Sequence, residues 1–135
     1  MNSMDVYFDN NATTKVLPEV GAAMLPFYTE HYGNPSSIHR FGSAVGQKIA
    51  DARAQVAALI GAADPIEVIF TSCGTESNNT AIRGVLEADP EKRHIVTSKT
   101  EHPSVLELCR HLGKFGYRVT YVGVDEAGEL DLEEL

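Results

Sequence analysis

A cluster of small polar residues follows an apolar run near the middle of the chain. Residues 68–70 (VIF) are apolar, residues 71–75 (TSCGT) are small, and a helix-compatible segment begins at Glu76. The first turn of a helix has backbone N–H groups without internal partners, and the helix dipole adds partial positive charge there. Gly74 permits close backbone approach, and the neighbouring hydroxyls are further donors. The stretch therefore predicts a seat for a phosphate or carboxylate, with an ordinary helix N-cap as the alternative.

Two familiar nucleotide-binding loops are excluded for this stretch. No lysine follows Gly74, and the chain contains no Gly-x-Gly-x-x-Gly sequence, so neither a P-loop nor a dinucleotide fingerprint is present. The Glu76 carboxylate is a candidate general base. At the start of a helix, however, a glutamate more often interacts with the positive end of the helix dipole. Cys73 can be a thiolate favoured by the helix N-terminus, or simply a small residue in a crowded turn.

A second polar turn contains the histidine of greatest chemical interest. Residues 100–103 (TEHP) follow another apolar run and precede another helical pattern. In open parallel sheets, ligands bind beyond the carboxyl ends of the strands. If the strands before the two turns are neighbours, His102 faces the anion seat, where it can stack on a flat ring, donate a hydrogen bond or move a proton. The alternative is a histidine that caps its helix or faces solvent.

The elements that must position these turns alternate along the chain. Apolar periodicity predicts helices over about 18–28, 40–60, 76–88 and 103–113, and strands over 67–71, 94–98 and 118–122. The alternation predicts an α/β fold with a three-layer α/β/α arrangement and a mainly parallel sheet. The longest helix carries an apolar stripe that is predicted to be core, comprising Phe41, Val45, Ile49, Ala52, Val56, Leu59 and Ile60.

Composition narrows the class of protein further. The chain has 135 residues, 43% apolar residues and a net charge of −8, which argues against a nucleic-acid surface. No apolar run reaches the roughly 18 residues of a membrane span, and no signal peptide is visible at the N-terminus. Two cysteines in unrelated contexts favour a reduced, cytoplasmic setting, and the five scattered histidines offer no metal-ligand spacing. Residues 131–135 are predicted to open a further helix, which suggests an N-terminal piece of a longer protein.

Four motifs in order resemble those of the cysteine desulfurases of the NifS/IscS class. They are residues 9–14 (DNNATT), 32–39 (YGNPSSIH), 70–78 (FTSCGTESN) and 100–103 (TEHP). The resemblance runs from about Met4 to the end of the chain. It implies a class-V aminotransferase-like protein of pyridoxal-phosphate fold type I, with residues 1–14 as an arm associated with the small domain and residues 15–135 as an incomplete part of the large cofactor domain.

The resemblance also implies a reaction and partners. Cysteine desulfurases use pyridoxal 5′-phosphate to remove sulfur from L-cysteine, leaving L-alanine and an enzyme persulfide. They act as homodimers and pass sulfur to an iron–sulfur scaffold or another acceptor protein. Whether this chain serves nitrogen fixation or a housekeeping pathway stays open at this point.

The resemblance assigns roles to the residues already singled out. Gly74 and Thr75 correspond to the loop that contacts the cofactor phosphate. His102 corresponds to the histidine that stacks on the pyridine ring and takes part in proton transfer. Asn11 belongs to the arm near the substrate, whereas Asn34 and His39 belong to a loop near the active site and the dimer interface.

The chain departs from the family in what it lacks. Its five lysines (Lys15, Lys48, Lys92, Lys99 and Lys114) all lie outside the Ser-x-His-Lys context of the family's Schiff-base lysine. The aspartate that pairs with the pyridinium nitrogen has no counterpart, and neither Cys73 nor Cys109 matches the persulfide cysteine. We therefore expect the isolated chain to be inactive. Three alternatives remain: part of a selenocysteine lyase or another fold type I enzyme, a non-catalytic remnant that dimerises or binds a partner, or a generic phosphate-binding module.

Overall fold

The computed structural model describes residues 5–135, which form two compact units. The first unit ends at Val68 and the second begins at Ile69. Each unit has its own local packing and is described separately below.

The first unit is helical. Its helices are α1 (Pro18–Met24), α2 (Pro26–Thr29) and α3 (Arg40–Ile60), followed by a short 3-10 helix at Pro65–Glu67. Pro26 divides the predicted first helix, since proline has no N–H for the preceding turn and instead begins α2. α3 has the predicted bounds, and Gly61 ends it in the left-handed conformation (φ 72°) that glycine adopts at little cost.

The predicted burial of the α3 stripe is only partly correct. Gly42 and Ala57 are buried, whereas Leu59 is 84% and Ile60 66% exposed. An apolar stripe becomes core only where another element covers it, and within this unit α3 packs against the short 3-10 helix. At the other end of α3, a side chain at position 42 would collide with the backbone oxygens of Asn34 and Ser37, so the preceding loop lies directly against the helix.

The second unit contains the parallel pairing that the sequence predicts. Its elements are α4 (Gly74–Ala88), β1 (His94–Ser98), α5 (Pro103–Lys114) and β2 (Arg118–Val122). β1 and β2 run parallel, with Ile95 opposite Val119, and α5 is the crossover between them. The α/β class is therefore confirmed. The core comprises Leu86, Leu108 and Leu112, against which Ile82, Ile95 and Tyr117 pack.

Two predicted elements are wrong. The strand over 67–71 does not form: Glu67 ends the 3-10 helix, and Val68 is extended (φ −92°, ψ 117°) but pairs with no strand in residues 5–135. An extended segment becomes a strand only when a neighbour accepts its hydrogen bonds.

The helix predicted over 131–135 is also absent. Asp131 accepts the Glu133 N–H in a local turn, and the Glu134 carboxylate accepts the Gly123 N–H.

Candidate cofactor site

The loop before α4 is held by a local hydrogen-bond network. The Glu76 carboxylate accepts the backbone N–H of Ser72 at 2.7 Å and its hydroxyl at 2.6 Å. The hydroxyls of Thr71 and Ser77 lie 2.6 Å apart. Cys73 occupies the N-cap position, where no side chain makes a standard capping bond. The loop and the first turn of α4 are thus joined by hydrogen bonds between their own residues.

The titratable groups of this loop respond to the same contacts. Hydrogen bonds from the hydroxyl and N–H of Ser72 hold the pKa of Glu76 below its usual value. The backbone N–H of Glu76 is the main cause that lowers the pKa of the Cys73 thiol, with the Ser72 hydroxyl second. A carboxylate so engaged serves the loop as a structural acceptor, which favours the dipole-partner interpretation of Glu76 over a general base.

His102 lies at the N-terminus of α5 and caps it. Its Nδ1 accepts the backbone N–H of Ser104 at 3.1 Å, and Pro103 occupies the first helical position. In the structure His102 therefore caps its helix, as one of the two interpretations of this histidine predicted. Capping uses only Nδ1, so the ring remains available to the space beside it.

Thr75 and His102 line the same cavity, of about 490 Å³. The α4 side of this cavity presents Thr75, Asn79 and Arg83 at four-residue steps, and the α5 side presents His102, Pro103, Ser104, Glu107, Leu108 and His111. The structure thus brings the predicted phosphate contact and the predicted ring-stacking histidine together, although the strand that was expected to align them is absent. No lysine lines this cavity in the part of the chain that the structure describes.

Sequence reasoning missed Asn79 and Arg83 as lining residues. Their spacing from Thr75 was a usable signal, because residues four apart lie on one face of a helix. The Asn79 side-chain amide donates to the Thr75 carbonyl at 2.9 Å, which ties it to the same face.

The remaining predicted site residues lie in the first unit and make local contacts. Asn34 Oδ1 accepts the Ser36 N–H at 2.9 Å, and His39 Nδ1 accepts the Gly42 N–H at 3.3 Å as the cap of α3. Asn11 is exposed in a turn. A separate cavity of about 260 Å³ in this unit is lined by neither Asn34 nor His39. Their roles near a substrate or interface stay predictions.

Comparison with known proteins gives this arrangement a family. The family described as aminotransferase class-V matches residues 6–135. This chain belongs to that family.

The relatives of this class-V chain carry a consistent description. It is 58% identical over 130 residues to a cysteine desulfurase of Trichormus azollae, covering 96% of this chain and 32% of the relative. It is 54% identical over 129 residues to the cysteine desulfurase NifS of Azotobacter vinelandii, again covering 96% and 32%. A solved NifS-like protein superposes with a TM-score of 0.88 at 45% identity, covering 97% of this chain and 36% of that structure.

These matches confirm the resemblance drawn from the four motifs. The class-V chain spans about a third of the length of the curated relatives it matches. Its family uses pyridoxal phosphate. The cavity lined by Thr75 and His102 can therefore be compared with what that cofactor requires.

The residues present fit the phosphate end of that cofactor. Cys73 makes no standard capping hydrogen bond at the start of α4, and a Cβ added at Gly74 would meet no atom within 4 Å. An anion can therefore approach the backbone closely, with the helix dipole in its favour. An imidazole ring at the wall of the same cavity offers a flat partner for an aromatic ring.

Within residues 5–135, no helix is both long and apolar enough to cross a bilayer.

Proposed function

We propose that this chain is the part of a pyridoxal-phosphate-dependent cysteine desulfurase that holds the phosphate and one face of the cofactor ring. The observation that carries the proposal is the shared cavity of Thr75 and His102, in a chain 58% identical to a cysteine desulfurase. Bound pyridoxal phosphate would supply an electron sink for bond cleavage in an amino acid. The chain's own residues supply binding and orientation.

Each residue has a defined task in this proposal. The N–H groups of Gly74 and Thr75 donate to the phosphate, and the Thr75 hydroxyl adds a donor. The His102 ring stacks on the pyridine ring and holds it flat. Glu76 keeps the loop in place through Ser72, at 2.6 and 2.7 Å.

The whole protein, in this proposal, removes sulfur from L-cysteine to give L-alanine and an enzyme persulfide. It acts as a cytoplasmic homodimer and passes the sulfur to an iron–sulfur scaffold or another acceptor. The relative named NifS, 54% identical, supports a connection to nitrogen fixation. Asn11, Asn34 and His39 are proposed to lie near the substrate or the interface between subunits, and residues 15–135 to form part of the large domain.

A chimera tests the proposal. The chain replaces the corresponding N-terminal third of the Azotobacter vinelandii relative, and bound pyridoxal phosphate and sulfide release from L-cysteine are measured. We expect the chimera to bind the cofactor and release sulfide. A chimera that folds as well as the parent protein but binds no pyridoxal phosphate would contradict the proposal.

Two substitutions at Gly74 test whether its backbone N–H donates a hydrogen bond to the cofactor phosphate. Gly74→Pro removes the N–H at the first helical position, where proline is tolerated and where the extended Cys73 (φ −165°, ψ 169°) suits a following proline. Gly74→Ala keeps the N–H and adds only the Cβ. Since a hydrogen bond to a charged group contributes about 1.5–3 kcal/mol, Gly74→Pro should bind pyridoxal phosphate roughly 10- to 100-fold more weakly than Gly74→Ala. Equal affinities would exclude the Gly74 N–H as a phosphate donor.

A further inference from the structure

A line of hydrogen bonds connects α4 to His102. The Asn78 side-chain amide donates to Ser104 Oγ at 2.8 Å, and Ser104 Oγ lies 2.9 Å from His102 Nδ1. Ser104 is buried (9% exposed) and is the one buried polar side chain in the part of the chain that the structure describes. Ser104 is therefore largely shielded from the water that would otherwise compete for these bonds, and Asn78 is half-buried.

Two groups that can only donate, the Ser104 N–H and the Asn78 amide nitrogen, determine the donor and acceptor roles along this line of hydrogen bonds. The backbone N–H of Ser104 can only donate, so Nδ1 of His102 must be an acceptor with a free lone pair. The Asn78 amide nitrogen can only donate, so it occupies a lone pair of Ser104 Oγ. The single hydroxyl hydrogen of Ser104 is then free to donate to Nδ1. All three bonds agree on one assignment.

This assignment determines where the imidazole keeps its proton. In neutral histidine one ring nitrogen carries the hydrogen and the other accepts. With Nδ1 accepting from both the N–H and the hydroxyl of Ser104, the hydrogen belongs on Nε2. No side chain among residues 5–135 hydrogen-bonds Nε2, which leaves this N–H available to the cavity that His102 lines.

We propose that Asn78 and Ser104 are positioning residues that hold neutral His102 with its proton on Nε2, so that the ring presents a donor and not a basic nitrogen to the cavity. The effect on a ligand bound in that cavity rests on the proposed function. The tautomer of His102 does not depend on the proposed function.

The consequence for the site is a narrower role for His102. To accept a proton, the neutral ring would have to take it at Nδ1, which ends the bond from the Ser104 N–H and reverses the bond with the Ser104 hydroxyl. His102 therefore stacks and donates, and the general-base role among the sequence-based alternatives is disfavoured.

Nitrogen-15 NMR of the chain, labelled in its histidine rings, tests the tautomer without any ligand. We expect the His102 signals at neutral pH to show a protonated Nε2 and an unprotonated, hydrogen-bonded Nδ1. An Nδ1–H tautomer of the neutral ring would overturn the proposal.

Three variants test the line of bonds. Ser104→Ala removes the hydroxyl, and Asn78→Asp replaces the donating amide with an acceptor that draws the hydroxyl hydrogen away. Both should shift the Nδ1 resonance toward that of a free, unbonded nitrogen. Ser104→Thr keeps the hydroxyl and should restore the native signal. Thr80→Ala, which removes an exposed hydroxyl from the same helix α4, is the control and should shift nothing.

The outcomes separate this inference from the proposed function. An unchanged Nδ1 signal in folded Ser104→Ala and Asn78→Asp would refute the positioning role, whatever the chimera does. Conversely, the expected shifts together with a chimera that binds no pyridoxal phosphate would leave the tautomer established and the proposed function wrong.

Discussion

At the scale of single residues, the two cysteines have opposite environments. Cys73 is exposed at the start of α4, where the backbone N–H of Glu76 is the main cause that lowers its thiol pKa. Cys109 is 1% exposed on the inner side of α5, and burial raises its thiol pKa. Since the thiolate is the reactive form, these environments should separate the two thiols in reactivity.

We predict that iodoacetamide modifies Cys73 and leaves Cys109 unmodified in the folded chain at neutral pH. The rate at Cys73 should rise with pH around a midpoint below that of an ordinary cysteine, because the lowered pKa supplies thiolate at lower pH. Peptide mass spectrometry after timed quenching measures both sites. Cys109 is the internal control, and it should react at a comparable rate only once the chain is unfolded in denaturant. Equal rates in the folded chain would contradict the assigned environments.

Residue identity alone explains these local features well. That Glu76 would partner a helix start followed from its position directly after the small polar residues. The bond from Asn78 to Ser104 did not, because these residues are 26 apart and nothing in the order of residues indicates that their helices meet there.

At the scale of elements, α5 is the centre of the second unit. Pro103 and the His102 cap begin it, and its inner side buries Leu108, Cys109 and Leu112. Leu108 and Leu112 belong to the cluster that joins α5 to Leu86 of α4. The cavity of the candidate site lies along the same two helices, so their packing also determines the shape of the site.

We predict that Leu108→Ala lowers the free energy of unfolding of the second unit by about 2–5 kcal/mol, as a buried leucine truncated to alanine leaves a cavity. Urea denaturation followed by circular dichroism measures the change. Leu132→Ala is the matched control, since Leu132 is 76% exposed and its truncation should change the free energy by less than about 0.5 kcal/mol. Similar losses for the two variants would contradict the core assignment of Leu108.

At the scale of the whole molecule, the proposed cofactor seat has no lysine beside it among the described residues. None of the five lysines lines the cavity of Thr75 and His102 in the described part of the chain, and the chain spans 32% of the Trichormus azollae relative. A pyridoxal-phosphate enzyme needs a lysine that reacts with the cofactor aldehyde.

We predict that the isolated chain, supplied with pyridoxal phosphate and L-cysteine, releases no sulfide above the rate of free pyridoxal phosphate. A sulfide assay with and without the chain measures this, and the chimera of the proposed function is the positive control. Release of sulfide by the chain alone would show that the missing lysine is not required and would overturn the expectation of inactivity.

The sequence by itself determined the features that depend on neighbours along the chain. The bounds of α3 and the positions of β1 and β2 follow from periodicity and local hydrogen bonding, and the four motifs identified the family. Such signals depend on residues that are close together in the sequence, so the sequence alone is enough to predict them.

Only the tertiary structure decided what depends on contacts between distant residues. Among residues 5–135, residues 68–71 form no strand because no second strand lies beside them, and Leu59 and Ile60 are exposed because no element covers that part of the α3 stripe. The same holds for the site: Thr75 and His102 share a cavity because α4 and α5 pack side by side, and Asn78 reaches Ser104 for the same reason. The anion seat was predicted from the sequence, whereas the proposed proton on His102 Nε2 depends on contacts that only packing creates.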